Sequence, residues 1–290
     1  LEALRDRGMA LIEADPDGVY FAAPANWTEE QERALVAKVG ALLPAGIRLE
    51  YEGRFRAMLS HMIKNYALLT YSGQLIVRGV ALRSSRAEPF GERFLRQALQ
   101  CVMQGDIPGV QRCYRETAKA IRGRQFPAID MSVRLRLSKT PKAYLDARAK
   151  HPEAQYEALL AAGRTQWSVG ERVRFYRTQG GGYTWLPEET DDTPLAVNDL
   201  EDEDEAEIET PFSYSDTETI ADRRDYDVEH YLRVLLTSYA ARLKVAFAPD
   251  DFDQLFRLDG QVGLFDQSLE DMQLRWIRCD SPTTPKIDDH

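Results

Sequence analysis

Cysteine is scarce in this chain of 290 residues: Cys101, Cys113 and Cys279 are all it has. Three, irregularly spaced, make neither a disulfide framework nor a zinc site, and they fit a reducing cytoplasm. Long hydrophobic runs are missing too. No stretch approaches the roughly 20 apolar residues of a membrane span, so no membrane partner is expected. The chain opens on Leu1 rather than methionine, and Leu-Glu-Ala-Leu-Arg-Asp-Arg-Gly lacks the order of a signal peptide, so a piece of a longer protein is expected. Lysine and arginine are absent from residues 188–222, which hold 15 acidic residues.

What is present is globular in composition, 43% apolar and 10% aromatic. A single core stops growing near roughly 250–300 residues, so two lobes are expected. The net charge of −10 argues against nucleic acid, whose phosphates want Lys and Arg. Its distribution argues the other way, because residues 54–177 carry 23 Lys and Arg against 9 Asp and Glu. A basic body with one acidic insert suits phosphate binding, although Arg-rich helices with solvated faces give the same count.

Local patterning predicts strands first and helices later. Met9-Ala-Leu-Ile-Glu13 and Val19-Tyr-Phe-Ala-Ala23 flank Ala-Asp-Pro-Asp-Gly and predict a β-hairpin. Thr28 and Gln31 have the spacing of a capping box, Leu35, Val39 and Leu42 follow at helical spacing, and Pro44 and Gly46 stop that helix. Ile47, Leu49 and Tyr51 alternate as a strand, and residues 62–71 and 74–82 predict two more, joined by Ser72-Gly73. From Glu88 the period becomes helical. Phe94, Leu95, Ala98, Leu99 and Val102 form one stripe, and Asp106 caps a second helix through Val110, Tyr114, Ala118 and Ile121, so the two are expected to pack as a pair. A helical stretch from Pro141 to Gly163, a strand over 167–176 and a last long helix, capped by Asp227 and striped by Tyr231, Leu235, Tyr239 and Leu243, complete the pattern. The acidic insert reads as a long solvated loop, and the polar tail after Ile277 as loose.

Asp15 and Asp17 stand at i and i+2 on the tip of the proposed hairpin, where an extended chain sets two carboxylates about 6–7 Å apart on one side. Carboxylate oxygens on rigid strand ends suit Mg²⁺ in phosphoryl transfer. The same Asp-Pro-Asp-Gly is also an ordinary turn, with proline at its second position and glycine at its end.

The segment Leu-Ile-Glu-Ala-Asp-Pro-Asp-Gly-Val-Tyr-Phe resembles the strand-turn-strand motif of family-B DNA polymerases, usually Tyr-Gly-Asp-Thr-Asp-Ser between apolar strands. Further landmarks follow in the family's order: Leu49-Glu-Tyr-Glu-Gly-Arg-Phe55, then Met62-Ile-Lys-Asn-Tyr-Ala67 in place of a Lys-x-Tyr pattern, then a Gly-turn hairpin from Gly73 that ends in the basic cluster Arg83-Ser-Ser-Arg86. Leu137-Ser-Lys-Thr-Pro-Lys-Ala-Tyr144, Val169-Gly-Glu-Arg-Val-Arg-Phe-Tyr176 and Tyr226-Asp-Val-Glu-His-Tyr-Leu232 are similar to the ordered landmarks of the family's thumb. The resemblance spans nearly the whole chain and rests on order and spacing more than on any one motif. One departure stands at Pro16, where the family usually has threonine; proline removes a backbone N–H and a hydroxyl, yet its fixed φ suits a tight turn.

The resemblance, to the bacterial type of the family, implies a mixed α+β chain. Residues 1–86 would be the C-terminal part of the palm, an antiparallel sheet with a packed helix, and residues 87–290 a mainly helical thumb carrying the insert at about 188–222. It implies Asp15 and Asp17 as catalytic Mg²⁺ ligands of a two-metal nucleotidyl-transfer site that this chain supplies only in part. Lys64 and Tyr66, at i and i+2, would share a strand face and meet the primer terminus in the minor groove, whose shared acceptors carry little sequence information; an exposed lysine beside a half-buried tyrosine is the plain alternative. Arg54, Arg78, Arg83 and Arg86 would contact phosphates from the sheet, and Arg134, Arg136, Lys139 and Lys142 from the thumb. The implied partners are primer-template DNA, deoxynucleoside triphosphates and the N-terminal part of a polymerase, which holds a further metal-binding aspartate and a finger lysine, in a nucleoid-associated setting. The isolated chain is expected to bind duplex and not to polymerise. A non-catalytic duplex-binding module descended from a polymerase, and an ordinary globular protein, remain the alternatives.

Overall fold

A computed structural model describes residues 1–14, 18–24, 26–44, 46–82, 87–187, 222–258 and 267–275. The fold is mixed α+β, with three small antiparallel sheets and eight helices among the described residues. No helix among them is long and apolar enough to cross a membrane. Packing divides the chain into two compact units, Leu1–Gly123 with Val228–His290, and Arg124–Asp227.

The first unit opens with a short helix α1 (Glu2–Arg5) and the expected hairpin, β1 (Ala10–Ala14) against β2 (Val19–Ala22). Helix α2 (Glu29–Gly40) begins on the expected capping box: the Thr28 hydroxyl accepts the Gln31 N–H, and the Gln31 side chain accepts the Thr28 N–H at 2.8 Å. Leu35 and Val39 of α2 bury against Leu4, Met9, Leu11, Val19 and Phe21. The strand expected over 47–51 does not form. That segment lies along α2 instead, with Leu49 Cβ 3.5 Å from where a Cβ on Gly40 would stand and the Tyr51 hydroxyl donating to Glu32 at 2.8 Å.

A three-stranded meander follows: β3 (Ala57–Met62), β4 (Asn65–Leu69) and β5 (Leu75–Arg78). Helices α3 (Pro89–Gln104) and α4 (Ile107–Arg122) pack as the expected pair, and the Asp106 carboxylate accepts the Gly109 N–H at 2.9 Å as the α4 cap. Gly105, at φ 79, supplies the left-handed residue that ends α3. The last long helix is not uniform: α7 (Val228–Val234) widens into a π turn over Leu235–Tyr239 and tightens to a 3₁₀ turn over Ala240–Ala246. Its buried Tyr239 packs on Phe90 and hydrogen-bonds Glu88, which explains a fixed point in the middle of the stripe. Helix α8 (Pro249–Leu255) follows, and Phe256 just beyond it sits edge-on to Tyr114.

The second unit is a sheet of β6 (Val133–Arg136), β7 (Arg172–Arg177) and β8 (Tyr183–Leu186) with helices α5 (Pro141–Ala147) and α6 (Ala154–Ala161). His151-Pro152 breaks the helical stretch into two, as a proline does. Tyr144 and Tyr156 stack at 4.3 Å beside Trp167 over Leu137, Val173 and Phe175. The ends of the unit are tied together: the Arg124 guanidinium donates to the carbonyls of Arg224 and Tyr226 at 2.7 Å each, and Arg224 donates back to Gln125 O at 2.6 Å. The Asp227 carboxylate accepts from Arg177 Nε at 3.0 Å.

Candidate nucleic-acid interface

In the first unit two hairpins meet through two matched pairs of residues. Glu13 stands opposite Tyr20 across β1 and β2, and Ser60 stands opposite Tyr66 across β3 and β4. The Ser60 hydroxyl donates to one carboxylate oxygen of Glu13 at 2.6 Å, and the two tyrosine hydroxyls share a hydrogen bond of 2.9 Å. The other carboxylate oxygen of Glu13 accepts the backbone N–H of Lys64 at 2.9 Å. Glu13 is only 9% exposed, and a carboxylate so placed is tolerable because donors meet both oxygens. Burial first, and then the bond to Tyr66, raise the Tyr20 phenol above its ordinary value.

Lys64 is not on the strand. Ile63 and Lys64 form a two-residue turn between Met62 and Asn65, and Lys64 has φ 62. The expected shared face with Tyr66 therefore does not hold, because the alternation rule applies only within an extended run. A left-handed backbone in a residue with a Cβ costs about 1–2 kcal/mol and persists only where the surroundings hold it. Three things hold it here. Glu13 takes its N–H, the Asn65 amide donates to Ile63 O at 2.9 Å while accepting the Ala81 N–H at 2.7 Å, and Gly79 leaves room where a Cβ would stand 2.2 Å from Lys64 O. The Lys64 side chain is exposed on this fixed turn.

Tyr66 pairs across the ladder with Arg78, which is exposed at the end of β5. Arg54 is drawn inward: its Nε meets Glu32 at 3.0 Å, its guanidinium donates to Trp27 O at 3.2 Å and it lies 5.4 Å over the Tyr71 ring. Glu32 is 7% exposed, so Arg54 serves there as a buried acid's counter-ion. A cavity of about 520 Å³ behind the first hairpin is lined by Glu32, Tyr51 and Arg54, which satisfy one another. Asp15, Asp17, Arg83 and Arg86 lie outside the described residues, as does the acidic insert up to residue 221.

In the second unit the sheet sorts its side chains by face. Val133 and Leu135 of β6 and Val173 and Phe175 of β7 pack on the Tyr144–Tyr156–Trp167 core. On the other face Arg134 stands opposite Arg174, and Arg136 opposite Arg172. The exposed pair, Arg136 opposite Arg172, sets two like charges side by side, a repulsion that an anion would relieve. Arg136 and Arg172 are exposed; Arg134 and Arg174 are half-buried, the latter donating to the Ser132 hydroxyl at 3.2 Å. Lys139 forms an ion pair with Glu153, and Lys142 is exposed in the first turn of α5.

Sequence reading missed Glu13, Tyr20 and Ser60, whose partners are far away in the chain, and also Arg172 and Arg174. The last two had a signal: Arg134-Leu-Arg136 and Arg172-Val-Arg174 repeat one basic–apolar–basic alternation. No group of three or more His, Cys, Asp or Glu side chains that could hold a metal occurs among the described residues.

No family model matches the chain. Its sequence is similar to curated archaeal proteins named DNA polymerase: 24% identical over 204 residues to one from Methanocaldococcus jannaschii, 22% over 261 residues to one from Thermococcus kodakarensis, and 20% over 266 residues to one from Pyrococcus horikoshii. These alignments cover 66%, 89% and 90% of the chain. The chain spans only 12%, 14% and 19% of the length of those relatives. Among solved structures it matches the family-B DNA polymerase of Pyrobaculum calidifontis with a TM-score of 0.52 at 15% identity, over 91% of this chain and 28% of that one. The fold is thus that of part of a family-B DNA polymerase, and the sequence is related to DNA polymerases at low identity.

Proposed function

We propose that the chain is the duplex-gripping part of a template-dependent DNA polymerase, comprising the end of the palm and the thumb, and that it contributes two carboxylates to a two-metal nucleotidyl-transfer site. The observation that carries the grip is the exposed, directly opposed pair Arg136 and Arg172 of β6 and β7, two guanidinium groups that a phosphate backbone would neutralise. Lys64, on its fixed turn, and Tyr66 would meet the primer end of the duplex. The bacterial subtype rests on the sequence resemblance alone, since the relatives named above are archaeal.

Asp15 and Asp17 would hold Mg²⁺, hard oxygen donors suiting a hard cation, at the connection between the paired ends Ala14 and Val19. Bound there, the metal would neutralise the incoming deoxynucleoside triphosphate and lower the pKa of the attacking hydroxyl. This chain's own part is to bind the duplex and orient its end. Proteins that neutralise phosphates release counterions, so affinity falls with salt by a slope of about 0.9 per contact. The test is a salt titration of primer-template binding with the wild-type chain and with Arg136→Ala/Arg172→Ala, whose side chains are exposed and make no described contribution to the core. The double variant should flatten the slope by about 1 to 2. An unchanged slope, or no binding by the wild type at low salt, refutes the grip. In a polymerase bearing this chain, Lys64→Ala should weaken primer extension more than loss of either arginine; equal or smaller damage rules out the primer-terminus role.

A further inference from the structure

We propose that Glu13 is a positioning residue for the duplex grip: its carboxylate fixes the β3–β4 turn, and with it the Lys64 side chain, against the β1–β2 hairpin. The proposal rests on the grip reading above. Three features converge on it. The hairpins meet residue pair against residue pair, Glu13 and Tyr20 onto Ser60 and Tyr66, so they have one register of docking. Glu13 reaches both the side chain of β3 and the backbone of the turn, with Ser60 at 2.6 Å and Lys64 N at 2.9 Å. The turn it holds is left-handed at a lysine, φ 62, a conformation that relaxes once its restraints go.

A carboxylate fits this role better than a hydroxyl or an amine, because it offers two acceptor oxygens a fixed distance apart to two donors. The Tyr20–Tyr66 bond, at the adjacent corner, keeps the hairpins from pivoting about Glu13. Behind the turn, the Asn65 amide donates to Ile63 O and accepts the Ala81 N–H, tying the turn to the segment after β5. Lys64 is thus held between two hairpins, and its side chain projects from a backbone that cannot adjust without breaking the Glu13 bond.

The test uses the full chain with Glu13→Ala, Glu13→Asp and Glu13→Gln. Glu13→Asp keeps the charge and shortens the reach by a methylene, and carries the test if the alanine variant fails to fold. Glu13→Gln keeps the geometry, with the side-chain carbonyl accepting the Lys64 N–H and the side-chain amide donating to the Ser60 oxygen. Hydrogen exchange at the Lys64 amide should speed by on the order of tenfold or more in the alanine and aspartate variants and stay near wild type in the glutamine one. Primer-template affinity, by fluorescence anisotropy at low salt and compared at equal folded fraction, should fall about fivefold to tenfold in the same two variants and be rescued by glutamine. Wild-type affinity in Glu13→Asp despite faster Lys64 exchange overturns the proposal and leaves the grip standing. Unchanged Lys64 exchange overturns it as well. A wild-type chain that binds no duplex removes both.

Discussion

Replacing Gly79 with alanine separates two costs that usually arrive together. Gly79 sits at φ +87, and an ideal Cβ there would stand 2.2 Å from Lys64 O and 2.4 Å from Asn65 Oδ1. Neither neighbour is the far end of a flexible side chain: one is backbone, and the other is bonded at its amide and at its carbonyl oxygen. Overpacking of this kind costs about 1–3 kcal/mol, and the left-handed φ about 1–2 kcal/mol more. Gly73 provides the control. It has nearly the same φ, +86, with nothing within 4 Å of its would-be Cβ, so Gly73→Ala carries the backbone cost alone. Urea unfolding of both variants should therefore show Gly79→Ala less stable than Gly73→Ala by about 1–3 kcal/mol at similar m. Exchange at the Ala81 amide, whose acceptor is Asn65, should speed only in Gly79→Ala. Equal losses in the two variants, or Ala81 exchange unchanged, would refute the claim that the Lys64 turn is seated on Gly79.

Other consequences follow from single groups. Tyr156→Phe removes the phenol oxygen that accepts the N–H groups of Ser138 at 3.0 Å and Lys139 at 2.8 Å, and should destabilise the second unit by about 2–4 kcal/mol in denaturant. Arg54→Ala leaves Glu32 with the Tyr51 hydroxyl as its remaining described partner; it should lower the melting temperature, and any loss of DNA affinity should vanish once the variant is compared at equal folded fraction. Burial, aided by the charge of Arg242, pushes the His61 imidazole below its ordinary 6.5, against a backbone hydrogen bond to Arg242 that acts the other way. The folded pKa is therefore the lower one, the unfolded chain binds the extra proton, and stability is full above the unfolded value and declines as pH falls from about 6.5 toward the folded pKa. That decline is at most about 1.4 kcal/mol per pH unit, less where solvent screens the ring, and a pH series of urea midpoints should lose this component in His61→Gln.

Much of the fold was legible because it was written in short-range patterns. The capping box at Thr28 and Gln31, the Asp106 cap and the stripe of α3 are decided within one or two turns of helix, and the structure has each of them. The strand proposed at 47–51 was lost to partners outside its own window, since Glu32 of α2 takes the Tyr51 hydroxyl. Lys64 was misplaced for a related reason. Nothing local marks Ile63-Lys64 as a turn, because neither residue is a usual turn former; the turn exists through Glu13, 51 residues earlier, and Gly79. Arg54 likewise looked like a surface cation until its acid appeared on α2. In the interface, what sequence exposed was the supply of positive charge. Which cations stay outward, and which are taken up by internal acids, is a tertiary outcome.

The same limit explains why Glu13 escaped notice, and its explanation lies in a bulge. By simple alternation Leu11 and Glu13 point the same way, and Leu11 packs into the apolar cluster with Phe21 and Leu35. A carboxylate on that face would be buried among hydrocarbon at a cost of several kcal/mol. The register slips between Leu11 and Glu13, so that Leu11 pairs with Phe21 while Glu13 pairs with Tyr20, one residue on and on the opposite face. A second slip falls between Ser60 and Met62 on β3, directly after the residue Glu13 binds. Bulges re-aim side chains at the expense of a ladder bond, and here one lies beside each end of the Glu13–Ser60 bond. Without the first slip, alternation would carry Glu13 onto the apolar face, and the two irregularities flank the contact that turns it away. They are what a fold needs to turn one acid out of a hydrophobic strand and set it against the turn that carries Lys64.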